Sequence, residues 1–124
     1  MTSPSTHYPE LAREISSTLA TLRADRPAVM QGFGSLSRAA MEAGALGAKT
    51  KELIALALGI AAHCDACIAF HVKALVGLGA TKAELEETLA VAVYMGGGPS
   101  LMYSANALRA FEQFTARAPE TVPA

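Results

Sequence analysis

The chain has no tryptophan, only three tyrosines and four phenylalanines, and just two cysteines in 124 residues. With so few aromatic and β-branched runs, and no stretch of alternating apolar and polar residues, nothing in it predicts a strand. Charge of one sign is also missing. Ten Lys and Arg face eleven Asp and Glu. They are scattered, which excludes the basic footprint of a nucleic-acid binder. The longest apolar run, Leu53–Ala62, is ten residues. That is half of what crosses a bilayer, so no membrane partner is expected. The first ten residues are polar and contain two prolines, unlike a secretory leader, and the expected compartment is the cytoplasm. There, a lone cysteine pair reads as redox or metal chemistry rather than as a staple.

What is present is alanine, leucine and helix punctuation. The length suits one domain over residues 1–124, with residues 1–7 and 118–124 expected as flexible tails and His7 as a solvent residue in the first of them. Pro9 opens a predicted helix to about Ala24, with Leu11, Ile15, Leu19 and Leu22 on its apolar face. Pro27 opens the next, with Val29, Met30, Phe33, Leu36, Ala40 and Met41 expected inward, and Gly44 to Gly47 closes it. A third begins near Ala48, leaves Lys49 and Lys51 exposed, and is expected to be central because Leu53 to Ala62 is apolar on all sides. A fourth runs from about Cys64 to Val76 and is stopped by Gly77-Leu78-Gly79. Thr81 with Glu84 is a capping box for the fifth, which ends near Met95. Gly96-Gly97-Gly98-Pro99 breaks it, and Ser100 is the expected cap of a sixth helix to about Arg117. The glycine run follows a helix rather than a strand and has no lysine after it, so it is not a phosphate loop.

The chemistry is concentrated in His63-Cys64-Asp65-Ala66-Cys67-Ile68-Ala69-Phe70-His71. On a helix, Cys64, Cys67 and His71 share one face. A thiol at a helix N-terminus meets free N–H groups and the positive end of the dipole, which favour the thiolate and make the pair reactive. Three readings of the pair stay open on spacing alone: a redox couple, two small buried residues, or a metal site completed by His71 with His63 or Glu52. The metal reading lacks the second, distant ligand pair usual in structural zinc sites. The ordinary reading of Glu52 is a first-turn glutamate that complements its own helix dipole. His63 could cap the helix break or take a chemical role. Tyr94, Met95 and Tyr103 flank the glycine break and could line a pocket, or simply pack.

The spacing Glu-x11-Cys-x2-Cys-x3-His, made by Glu52, Cys64, Cys67 and His71, resembles the AhpD-like alkylhydroperoxidase branch of the carboxymuconolactone decarboxylase superfamily. Lys51-Glu52-Leu53-Ile54-Ala55-Leu56-Ala57 before it, and Gly77-Leu78-Gly79-Ala80-Thr81 with Glu84-Leu85 after it, are similar to that family too. The resemblance covers roughly residues 30–115. It implies an all-α fold of about six helices, with a central helical hairpin carrying the CxxC motif. It also implies a thiol peroxidase or disulfide reductase acting on small hydroperoxides or disulfides. Cys67 would be peroxidatic, Cys64 resolving, and Glu52 with His71 a proton relay. His63, Asp65, Tyr94 and Tyr103 are candidates for a surrounding shell. No bound cofactor or metal is implied, only an external dithiol electron donor. The implied assembly is a homohexamer, or failing that a trimer. Relatives often carry histidine between the cysteines, whereas here Asp65-Ala66 fills the gap. Asp65 acts in two opposed ways: its negative charge opposes thiol ionisation, while as a first-turn acidic residue it suits the start of a helix. A non-enzymatic redox- or zinc-responsive oligomer is the second reading. A carbon-acid enzyme of the decarboxylase branch is the third, for which no substrate-carboxylate clamp is evident.

Overall fold

The computed structural model describes residues 6–121, with side chains to residue 116. Six helices follow one another: α1 (Tyr8–Asp25), α2 (Pro27–Met41), α3 (Ala48–Ala61), α4 (Asp65–Gly77), α5 (Lys82–Gly96) and α6 (Gly98–Thr121). No strand occurs among the described residues. None of the described helices is long and apolar enough to cross a membrane. Of the expected tails, residues 1–5 and 122–124 lie outside the described residues, whereas residues 118–121 continue α6 to Thr121 beyond its expected end near Arg117.

Each boundary has a local cause. His7 is exposed, as expected, but it is the N-cap of α1, its Nδ1 accepting from the Glu10 N–H at 3.4 Å, with Pro9 in the first turn. Arg26 leaves helical geometry (φ −137°) and Pro27 starts α2 at once. Lys51, expected to be exposed, is held at its head group. Its ammonium donates to the carbonyls of Ala40 (3.0 Å) and Glu42 (2.6 Å), serving acceptors that the end of α2 leaves open. The Thr81–Glu84 capping box is fully formed. Gly97 adopts a left-handed φ of 75° between α5 and α6. Ser100 does not cap α6. It lies inside the first turn, almost fully buried, where its hydroxyl occupies the space a side chain on Gly96 would need.

The core lies around the α3–α4 hairpin. Leu56 and Ile60 of α3 and Ile68, Val72 and Leu75 of α4 are fully buried, with Leu85 of α5 and Tyr8 of α1. α4 packs on α3, α6 and α1, while α5 covers α3 and α6. α2 differs from expectation. Among the described residues it packs only on α1 and α3 and buries no residue, leaving Val29, Phe33 and Leu36 61–66% exposed. Periodicity identifies an apolar stripe but not whether the same chain covers it. On α6, Leu101 and Met102 are likewise on the surface, and the inward line is Ser100, Ser104, Ala107, Ala110 and Phe114.

Candidate functional site

The turn between α3 and α4 places the cysteines. The Cys64 N–H donates to the Gly59 carbonyl and the His63 N–H to that of Ile60, both at 3.0 Å. This is a Schellman ending with His63 in the left-handed position, φ 56°. The same closure after α4 uses Gly79, φ 77°. A non-glycine residue there costs about 1 kcal/mol. His63 has a compensating contact: its exposed ring stacks on that of Tyr103 from α6, with centroids 4.9 Å apart and planes 12° from parallel.

Cys64 is the N-cap of α4, and its Sγ accepts from the Cys67 N–H at 3.1 Å. A disulfide joins Cys64 to Cys67, with Cα atoms 5.2 Å apart. Gly59 of α3 lies directly behind: a methyl group there would stand 3.0 Å from the Cys67 Cβ, so the backbone of α3 can approach the motif because position 59 has no side chain.

One turn beyond Cys67, His71 Nδ1 is 2.7 Å from Glu52 Oε1. Glu52 is the fifth residue of α3, and the first turn of that helix carries no acidic residue. The dipole-complementing reading is therefore replaced by a cross-hairpin pair. Its side chains are 17% (Glu52) and 31% (His71) exposed, partly shielded yet reachable by water. The structure thus brings Glu52, Cys64, Cys67 and His71 onto one hairpin. Among the described residues, no group of three or more His, Cys, Asp or Glu is arranged to hold a metal ion.

Of the surrounding candidates, Tyr103 is half-buried against His63, whereas Tyr94 and Met95 are 84% and 76% exposed and line no interior pocket. Asp65 is engaged from two other helices. Its Oδ1 accepts from the Tyr8 hydroxyl of α1 (3.0 Å) and from the Asn106 amide of α6 (3.3 Å). Burial, followed by the hydrogen bond to Asp65 and its charge, pushes the Tyr8 phenol well above its ordinary range, so it remains a donor. Sequence reasoning missed Tyr8, Asn106 and Gly59. Tyr8 and Asn106 sit 57 and 41 residues from Asp65, and no local spacing marks either.

Against known proteins, the carboxymuconolactone decarboxylase family model matches residues 27–110. An uncharacterized protein of Cupriavidus necator is 40% identical over 103 residues, covering 83% of this chain and 91% of its own length. Among solved structures, the apo form of a carboxymuconolactone decarboxylase family protein from Legionella pneumophila is 55% identical, with a TM-score of 0.86 over 87% of this chain and 96% of that one. A carboxymuconolactone decarboxylase family protein from Thermotoga maritima, with a suggested involvement in antioxidative response, is 28% identical, with a TM-score of 0.70 over 93% and 95% of the two chains.

Proposed function

The chain belongs to the carboxymuconolactone decarboxylase family, and from that premise we propose that it is a thiol–disulfide oxidoreductase of the AhpD-like kind, reducing small organic hydroperoxides with electrons from an external dithiol. The observation that carries this reading is the Cys64–Cys67 disulfide across the first turn of α4, with the Glu52–His71 pair one turn away. The suggested antioxidative involvement of the Thermotoga maritima protein agrees with it.

In the reduced protein, the Cys67 thiolate attacks the outer oxygen of ROOH. The O–O bond breaks, sulfur is oxidised to the sulfenic acid, and the alkoxide leaves as ROH after taking a proton. The Cys64 thiol then attacks the sulfenic sulfur. The disulfide forms and the hydroxyl departs as water, taking the proton that the Cys64 thiol gives up. His71, held by Glu52, serves as the base that takes the Cys67 proton and the acid that returns it to the leaving oxygen. An outside dithiol restores both thiols by exchange, giving up two electrons and two protons and becoming a disulfide itself.

Stopped-flow oxidation of the reduced protein by an alkyl hydroperoxide, with the product identified by mass, tests this. Cys67→Ser should abolish turnover, and Cys64→Ser should stop at a trappable sulfenic acid. Retention of peroxide reduction by both variants would overturn the proposal. Glu52→Gln should slow thiol oxidation by about 10²-fold, the lower end of what a positioned acid–base group supplies. An unchanged rate would remove Glu52 from the relay.

A further inference from the structure

The carboxylate between the two cysteines sits in a small polar network reaching across the molecule. Asp65 Oδ1 accepts from the fully buried Tyr8 and from Asn106, and Asn106 Oδ1 in turn accepts from the Arg109 guanidinium at 3.4 Å. Tyr8 is itself fixed. Its N–H donates to Gln113 Oε1 at 2.7 Å, and Gln113 Nε2 donates to the Thr6 carbonyl at 3.0 Å, clasping the start of α1 to α6. Arg109 and Tyr103 are the other ionisable groups felt at the Tyr8 hydroxyl. None of these side chains takes part in the peroxide chemistry above. A buried phenol held so firmly on a carboxylate beside a redox pair needs a reason.

We propose that Tyr8 is a positioning residue for the Cys64–Cys67 couple: by hydrogen-bonding Asp65 it fixes and partly neutralises the negative charge between the cysteines, and so keeps the couple more oxidising than the Asp65 charge alone would allow. The inference rests on the redox reading. The physical basis is electrostatic. The dithiol state is favoured by anything that stabilises a thiolate, and a nearby carboxylate disfavours it. A phenol proton and an amide proton on Oδ1 reduce the field that carboxylate projects onto the sulfurs. Losing either donor shifts the exchange, protein disulfide plus reduced dithiol giving protein dithiol plus oxidised dithiol, toward the protein disulfide.

The test is the equilibrium constant of this exchange at pH 7 in glutathione or dithiothreitol buffers, read by alkylation and mass. Tyr8→Phe should move it about three- to tenfold toward the protein disulfide, the range of an interaction worth up to one pKa unit. Asn106→Ala should move it the same way, which keeps the proposal testable if Tyr8→Phe folds poorly. Asp65→Asn should move it the opposite way, and adding Tyr8→Phe to Asp65→Asn should change it by less than about twofold. An unchanged constant in Tyr8→Phe, a shift toward the dithiol, or an equal shift in both backgrounds overturns the proposal while leaving the redox couple intact. A wild-type pair that fails to exchange with any dithiol overturns the redox reading and this inference together.

Discussion

Tyr8 and Gly59 illustrate how single residues set this site. Tyr8 is an acid whose folded pKa lies above its unfolded value. Its contribution to stability is therefore complete below about pH 10, the unfolded value, and is lost as pH rises from there toward the folded one. Denaturant titrations should show a wild-type loss of stability above about pH 10 that is reduced in Tyr8→Phe. At Gly59 two effects compete. Alanine in a helix interior gains up to about 1 kcal/mol over glycine. The new methyl, however, would stand 3.0 Å from the Cys67 Cβ, and forcing extra volume into a packed contact costs about 1–3 kcal/mol. We expect Gly59→Ala to lower the denaturation midpoint and to slow disulfide exchange at Cys67. A higher midpoint would mean the hairpin can open at no expense.

At the scale of helices, boundaries follow capping chemistry closely. Pro9, Pro27, Thr81 with Glu84, and the glycine run at 96–98 each mark a start or stop that the structure contains. Those signals are local, and they were legible in the sequence for that reason. Cys64, Cys67 and His71 share a helix face by local spacing in the same way, whereas Glu52 read locally as a dipole partner and was tied to His71 only through the family resemblance; the structure sets the two 2.7 Å apart. What was not legible is contact between distant elements. Tyr8 reaching Asp65 depends on how α1 crosses α4, and the exposure of α2 depends on which neighbours its face does not meet. The capping box provides a measurable case at this scale. Thr81 Oγ1 accepts from the Glu84 N–H at 3.1 Å and Glu84 Oε1 from the Thr81 N–H at 2.9 Å, while Lys49 of α3 holds the second Glu84 oxygen at 2.8 Å. Lys49 first, then the Thr81 N–H, keeps the Glu84 carboxyl below the usual glutamate range. This contribution is present above the ordinary glutamate pKa and lost as pH falls through the depressed one. Thr81→Ala should cost about 1 kcal/mol at neutral pH by urea denaturation.

For the molecule as a whole, the distribution of apolar surface is uneven. Val29, Phe33 and Leu36 on α2, Leu58 on α3, Val91 on α5, and Leu101 and Met102 on α6 are each more than half exposed. A groove of about 470 Å³ runs between α5 and α6, lined by Leu89, Val93, Leu101 and Leu108 among others. Apolar faces on this scale are characteristic of association surfaces. We expect a homo-oligomer at micromolar concentration, a hexamer or a trimer, by analytical ultracentrifugation. Phe33→Asp should reduce the mass toward the monomer without loss of helical circular dichroism. A monomeric wild type would sink this expectation.

One sulfur of the disulfide is also the cap of α4. Cys64 Sγ accepts the Cys67 N–H, and whatever fraction of Cys64 is thiolate in the reduced protein accepts it more strongly than a disulfide sulfur does. On the proposed redox reading, reduction of the pair should therefore tighten the opening turn of the helix that holds the core together. Amide exchange at Cys67 should slow when the protein is reduced, so that the backbone itself reports the redox state.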